Sequence, residues 1–359
     1  MEIKTNLILE KGSSKGFDNS KYLKAQLAAI RERVSKFDKL YLEIGGRLTF
    51  DGHASRVLPG YEPTNKMKIL KALGKDIGML YCISAIELEK ELTYKRSWSD
   101  TKLSLDELAI KETNALENAG VHVVGIVATR FSGQKKVLTF KKKLARLGKK
   151  LYFTHTIAGY PYEMKKVFGE NGFEAQEFIP TNKKIIGVTG AGANSGKMFV
   201  CLSQVYQESK RKVSAGYAKL ETFPIWNLPI THPVNIAYEA ATADIGDKIM
   251  VDEYHKKAYN ITAVNYNRDI ENFYILKRII KRIVPAENHM HSYKSPTDMG
   301  MNKAKEGIID DATCQAAGRA EVMRRYEFYK HNLKGKMREE TLKRMKVILK
   351  KVGLAEVRN

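Results

Sequence analysis

Twelve residues hold the densest chemistry in this sequence: "GVTGAGANSGKM", Gly187 to Met198. Glycines let successive backbone N–H groups face one point, a lysine adds positive charge, and a hydroxyl reaches a further oxygen; together these cradle a phosphate. The phosphate-binding candidates are Gly190, Gly192, Asn194, Ser195, Gly196 and Lys197. A Walker A loop reads G-x-x-x-x-G-K-[ST]. Counted back from Gly196-Lys197, its first glycine is here Ala191, flanked by Gly190 and Gly192, and its metal-holding hydroxyl is Met198. Met198 also begins an apolar stripe with Cys201, Leu202, Val205 and Tyr206 at helical spacing, so it reads as the edge of a core face. Mg²⁺ would need another ligand, and the same glycines also suit a tight turn that packs a helix on a sheet.

The surrounding elements decide where that loop points. "TNKKIIGVTG" reads as a strand, "MFVCLSQVYQESKRK" as a helix and "VSAGYAKLE" as a second strand, one βαβ unit. The helix start aims free N–H groups at the bend. The carboxyl end of the second strand lies beside the loop, which brings Lys219 and Glu221 to a bound phosphate. With Asp298 in "SPTDMGMN" they complete the catalytic candidates. This local layout resembles the dethiobiotin-synthetase branch of P-loop proteins, where a lysine ends the strand after the P-loop helix. Glu221, or Asp252 after the Walker-B-like "KIMV", is the candidate substitute metal ligand.

The preceding half alternates in the same way. An amphipathic helix, "SKYLKAQLAAIRERVSKF", leads into the strand "KLYLEIGG", and "RLTFDGHASRVLPGYEP" follows as a loop. Strands "IGMLYCIS", "VHVVGIVAT" and "KLYFTHTI" are separated by a helix opened by the capping box "SLDE" and by a lysine-rich helix. The pattern predicts parallel sheets with right-handed crossovers. Secondary anion-binding candidates are Arg56 and, in the loop "TRFSGQKK", Arg130 and Ser132.

The expected fold is α/β: two Rossmann-like three-layer domains with mostly parallel sheets, plus a C-terminal helical segment. Its parts are a tail over 1–16, an α/β domain over 17–180, a second α/β domain with the glycine loop over 181–310, and basic helices over 311–359.

Composition narrows the partners. The 359 residues carry a net charge of +22, which suits contact with polyanions. Between Gln134 and Tyr162 there is no acidic residue, yet lysines crowd a stripe that keeps Val137, Phe140, Leu144 and Leu147 at helical spacing. That stripe reads as the outer face of a packed crossover helix, so a phosphate-bearing small molecule ranks first as partner, nucleic acid second, and a homo-oligomer stays open. A nucleoside phosphate is the cofactor class that the loop suggests. The three cysteines are scattered, and His289 and His291 have no further ligand beside them, so neither a disulfide framework, a zinc ribbon nor a histidine metal site is indicated, and whether the glycine loop takes Mg²⁺ stays open. No apolar run is long enough to span a bilayer, and the expectation is a cytoplasmic protein.

Longer peptides carry a resemblance. "YLEIGGRLTFDGHASRVLPGYEP", "GANSGKMFVCLSQVYQESKRKVSAGYAKLETFPIWNLPITHPVNIAYEAATADI", "VNYNRDIENF" and "YKSPTDMGMN" resemble the bacterial family catalogued as domain of unknown function 1846, from about Phe17 to Asp311. The resemblance implies several α/β subdomains and a "GSGKM" loop, here "NSGKM". It also implies a further α/β portion after the helical segment, which this sequence lacks, and it brings no settled activity. Three readings stand: a nucleotide- or phosphometabolite-dependent transferase, ligase or hydrolase; a non-catalytic nucleic-acid or partner-binding protein; and a member whose glycine loop is structural.

Overall fold

The computed structural model describes residues 15–90, 103–192, 194–220 and 224–354. Nine strands occur among them: β1 (Lys39–Ile44), β2 (Ile77–Ser84), β3 (His122–Phe131), β4 (Leu151–His155), β5 (Ile185–Gly190), β6 (Ala215–Leu220), β7 (Ile249–Val251), β8 (Val264–Tyr266) and β9 (Gly300–Met301). Seven form one sheet in the order β4-β3-β2-β5-β1-β6-β9, and β7 pairs with β8 apart from it. Every pairing in the large sheet is parallel.

The α/β class, the parallel strands and the C-terminal helices are as expected. The strands assigned to two units, however, lie in one sheet, with β1 inserted between β5 and β6. The physical reason is burial: Leu40, Leu42 and Ile44 point to one face of β1, Tyr41 to the other, and all are buried. A strand apolar on both faces needs a neighbour on each edge and cover above and below.

Helices divide between the two faces. Tyr81 and Ile83 of β2, with Ile126 and Ala128 of β3, pack with residues of the helices Leu105–Asn118 and Lys135–Arg146. The alternate residues Leu80 and Cys82 belong to the main core with Cys201, Leu202 and Val205 of the helix Lys197–Lys210. The expected "SLDE" cap is present, with Ser104 N donating to Glu107 Oε2 at 2.9 Å.

Two polar stretches, the first of them read as a loop, contain short helical turns. Asp51 caps the short helix Gly52–Val57, and "SYKSPTDMGMN" holds a capped turn, Pro296–Met299, before β9. Short polar segments of this kind lack the periodicity that marks a helix in sequence. The helix Asp311–Asn332 lies on Pro233–Ala241 so closely that a Cβ on Gly318 would stand 2.7 Å from the Pro233 backbone. No helix of the described residues is long and apolar enough to cross a membrane.

Candidate functional site

The topology itself selects a place. The chain leaves β1 and crosses over β5 to reach β2, whereas it leaves β5 and crosses over β1 to reach β6. Adjacent strands whose connections depart in opposite directions leave a crevice at their carboxyl ends, where open α/β sheets bind ligands. Here the crevice lies between the loop after β1 and the glycine loop after β5.

The glycine loop is tightly folded. Ser195 Oγ and Lys197 Nζ both donate to Gly192 O, at 2.9 and 3.0 Å. Thr129 Oγ1 donates to Ser195 O at 2.9 Å. Gly196 takes φ +84° at the N-cap, and a Cβ there would meet the Thr129 side chain at 2.9 Å. No side chain caps the helix Lys197–Lys210, so its first-turn N–H groups face the crevice without an intrahelical acceptor. Met198 is partly buried against the main core, as its place in the apolar stripe predicts.

Charged groups converge from two strands and a helix. Glu43, near the end of β1, lies in register with Val188 of β5 and Lys219 of β6. Residues in register share a face of the sheet, here the face under the Lys197 helix. Tyr217 donates its hydroxyl to Glu43 Oε2 at 2.6 Å, and Lys219 Nζ pairs with Asp269 Oδ1 at 2.6 Å from the first turn of the helix Asn267–Ile283. Burial pushes the Cys82 thiol up to about 12; the Glu43 charge adds to that shift and Lys197 opposes it. Cys201 is raised by burial and then by Glu43, again opposed by Lys197. Both thiols are buried packing groups of the main core, and the charges of Glu43 and Lys197 act on them in opposite senses.

Of the secondary anion candidates, only Arg130 reaches the glycine loop. Its φ of +58° is unusual for a side-chain-bearing residue and falls where the β3–β4 register shifts between Ala128 and Phe131. That backbone turn aims the guanidinium at Ser84 Oγ and at Asn194 O, the latter at 3.0 Å. Ser132 is exposed and closes its own turn with Gln134 at 3.0 Å. Arg56 lies elsewhere, bound through Nε to Glu321 Oε2 at 2.9 Å. Asp298 is a capping group: its Oδ2 accepts from Ser295 N at 3.1 Å, Lys294 N at 2.7 Å and Tyr259 Oη at 2.9 Å. Asp252 is fully buried and ties His255 N to Thr297, so it is committed to structure. Glu221 lies outside the described residues. Among the described residues no group of three His, Cys, Asp or Glu side chains could hold a metal ion.

Sequence reading passed over Glu43, Tyr217 and Asp269. A carboxylate inside the apolar "YLEIGG", just before two glycines, was the available signal for Glu43.

Comparison with known proteins finds a family model, described as "Domain of unknown function DUF1846, N-terminal", that matches residues 15–353. A "UPF0371 protein" of Clostridium tetani (strain Massachusetts / E88) is 43% identical over 344 residues, covering 95% of this chain and 67% of that protein. One from Clostridium botulinum (strain Alaska E43 / Type E3) has the same identity and the same coverage.

Proposed function

Since the chain belongs to the DUF1846 family, whose description names no reaction, we propose from the geometry that it binds a phosphate-bearing small molecule, a nucleotide or phosphometabolite, in the crevice between β1 and β5. The observation that carries this reading is the meeting of that switch point with an uncapped helix N-terminus bearing Lys197. The phosphate sits against the first-turn N–H groups of the Lys197 helix. Lys197 and Ser195 exchange their bonds to Gly192 O for bonds to the anion, and Arg130 closes the far side. Lys219, held by Asp269, stands one strand away to stabilise charge that develops on a transferred group. Glu43 supplies a carboxylate at the same strand ends, the arrangement that general acid–base or phosphoryl-transfer chemistry requires.

The test is ligand-induced stabilisation. Lys197→Ala is expected to keep the fold, because Lys197 is only partly buried and its sole hydrogen bond among the described residues is to Gly192 O. The rise in melting temperature that pyrophosphate or ATP produces in the parent should shrink by more than half. An identical rise in both proteins would remove the cradle.

The basic helix Lys135–Arg146 supports a small-molecule reading over nucleic acid. Lys143 pairs with Asp106 at 2.9 Å, and Lys141 lies 4.9 Å from the Phe153 ring centroid. Binding to single-stranded or duplex nucleic acid is therefore expected to be weak and to fade with salt, as counterion release requires. A gel shift showing tight, sequence-selective binding at physiological salt, abolished when Lys141, Lys142, Lys143 and Arg146 are all changed to Gln, would reverse the order of partners.

A further inference from the structure

Two buried polar atoms around the start of the Lys197 helix have no hydrogen-bond partner among the described residues: Arg130 Nε at the glycine loop, and the hydroxyl oxygen of Tyr160. A phenol oxygen withdrawn from water without a hydrogen bond costs about 1–3 kcal/mol, so its position calls for a reason. The Tyr160 ring stands edge-on to Phe199, with centroids 5.1 Å apart, against the first turn of the Lys197 helix. Burial raises the phenol above its usual range and the Glu43 charge raises it further, so it is a permanent donor near that carboxylate.

Glu43 offers the complement. Its Oε2 is taken by the Tyr217 hydroxyl at 2.6 Å, and no donor among the described residues reaches its Oε1. An unfilled donor and an unfilled acceptor at the mouth of a phosphate cradle are matched together by one kind of group, a hydroxyl, which accepts from the phenol and donates to the carboxylate. A ligand carboxylate at that point would be repelled by Glu43, and an ammonium would leave the phenol proton without an acceptor.

Building on the phosphate reading above, we infer that Tyr160 and Glu43 grip a hydroxyl of a phosphorylated polyol, the class that includes sugar phosphates and the ribose of nucleotides. The phosphate is held by the Lys197 loop, and the Tyr160–Glu43 pair selects the body of the ligand. Tyr217 acts as a positioning residue that fixes the Glu43 carboxylate.

Calorimetric titration of the whole chain with inorganic phosphate and with ribose 5-phosphate tests this. The parent is expected to bind ribose 5-phosphate at least tenfold more tightly than phosphate. Tyr160→Phe should lose about tenfold for ribose 5-phosphate and nothing for phosphate, and without ligand it should melt at or above the parent, since it removes a hydroxyl that has no partner. Glu43→Gln should lose ribose 5-phosphate in the same direction. If phosphate binds but ribose 5-phosphate binds no better, or if Tyr160→Phe weakens both equally, the role of Tyr160 is wrong while the cradle stands. If phosphate itself fails to bind, the cradle and this inference fall together.

Discussion

Glu321→Gln is expected to lower the unfolding free energy by about 3 to 5 kcal/mol, the cost of breaking a buried charge cluster by removing one partner. The Glu321 side chain is 1% exposed and is bound by His53 Nδ1 at 2.8 Å, Arg56 Nε at 2.9 Å and Arg324 Nε at 2.6 Å, while Arg325 Nε forms an ion pair with it at 3.3 Å without a hydrogen bond. Arg56 and Arg324 are 40% and 41% exposed, so water screens much of their share. Arg325, at 0%, has no such relief, and most of the loss is assigned to it. Urea unfolding of parent and variant measures the difference; a loss below about 1 kcal/mol would mean that the cluster holds nothing together.

The same cluster makes stability depend on acid. Burial raises the Glu321 carboxyl, but hydrogen bonds from Arg324 and His53 outweigh burial and hold it far below its ordinary 4.5. As pH falls below 4.5 the unfolded chain takes up a proton that the folded one refuses, and stability is lost. His53 is lowered from 6.5, by burial first and against the pull of Glu321. The unfolded imidazole is therefore charged before the folded one, and its contribution is lost as pH drops from 6.5 toward the folded value. Both signs agree, so the melting temperature should decline from near pH 6.5 and more steeply under 4.5. In Glu321→Gln the lower decline should flatten.

Gly190→Ala is the second large effect. An added Cβ would stand 2.4 Å from Ser195 Oγ and 2.5 Å from Cys82 O. Cys82 O already accepts from Ala191 N at 3.2 Å, so relief requires β2 and β5 to part at the glycine loop. The cost should reach about 3 kcal/mol, the upper end for overpacking, together with loss of the phosphate-induced shift. Gly133→Ala is the control: its Cβ meets nothing within 4 Å, and only the backbone strain of φ +97° remains, about 1 to 2 kcal/mol. Equal melting temperatures for the two variants would show that the loop has room.

Much of this architecture was legible in the residues. The strand–loop–helix around Lys197 was readable because a short apolar run rich in β-branched residues ends in glycines and a period-3.6 stripe begins at Met198. Its partner across the crevice was not, because β1 and β5 are joined by register rather than by proximity in the chain. Glu43 looked like one charged residue in a strand, and only the sheet order sets it beside Val188 and Lys219. Asp298 and Arg56 show the converse. Each sits in a polar loop of the kind that binds ligands, yet one caps a helical turn and the other is committed to Glu321, and only tertiary contacts tell such roles apart.

The placement of β1 has a consequence for how the chain is made. Leu40 pairs with Ile185, about 145 residues downstream, and the other edge of β1 pairs with β6, later still. At a ribosomal rate of roughly 5–20 residues per second, the strand waits about 7 to 29 seconds after its own synthesis before either neighbour exists. Throughout that interval "YLEI" is a hydrophobic segment with two open edges, and β2, β3 and β4 can assemble a partial sheet whose β5 slot faces the solvent. The β1–β5 junction, where a ligand would bind, therefore closes only after β2, β3 and β4 have been made, and β6 and β9 add to the far edge of β1 later still.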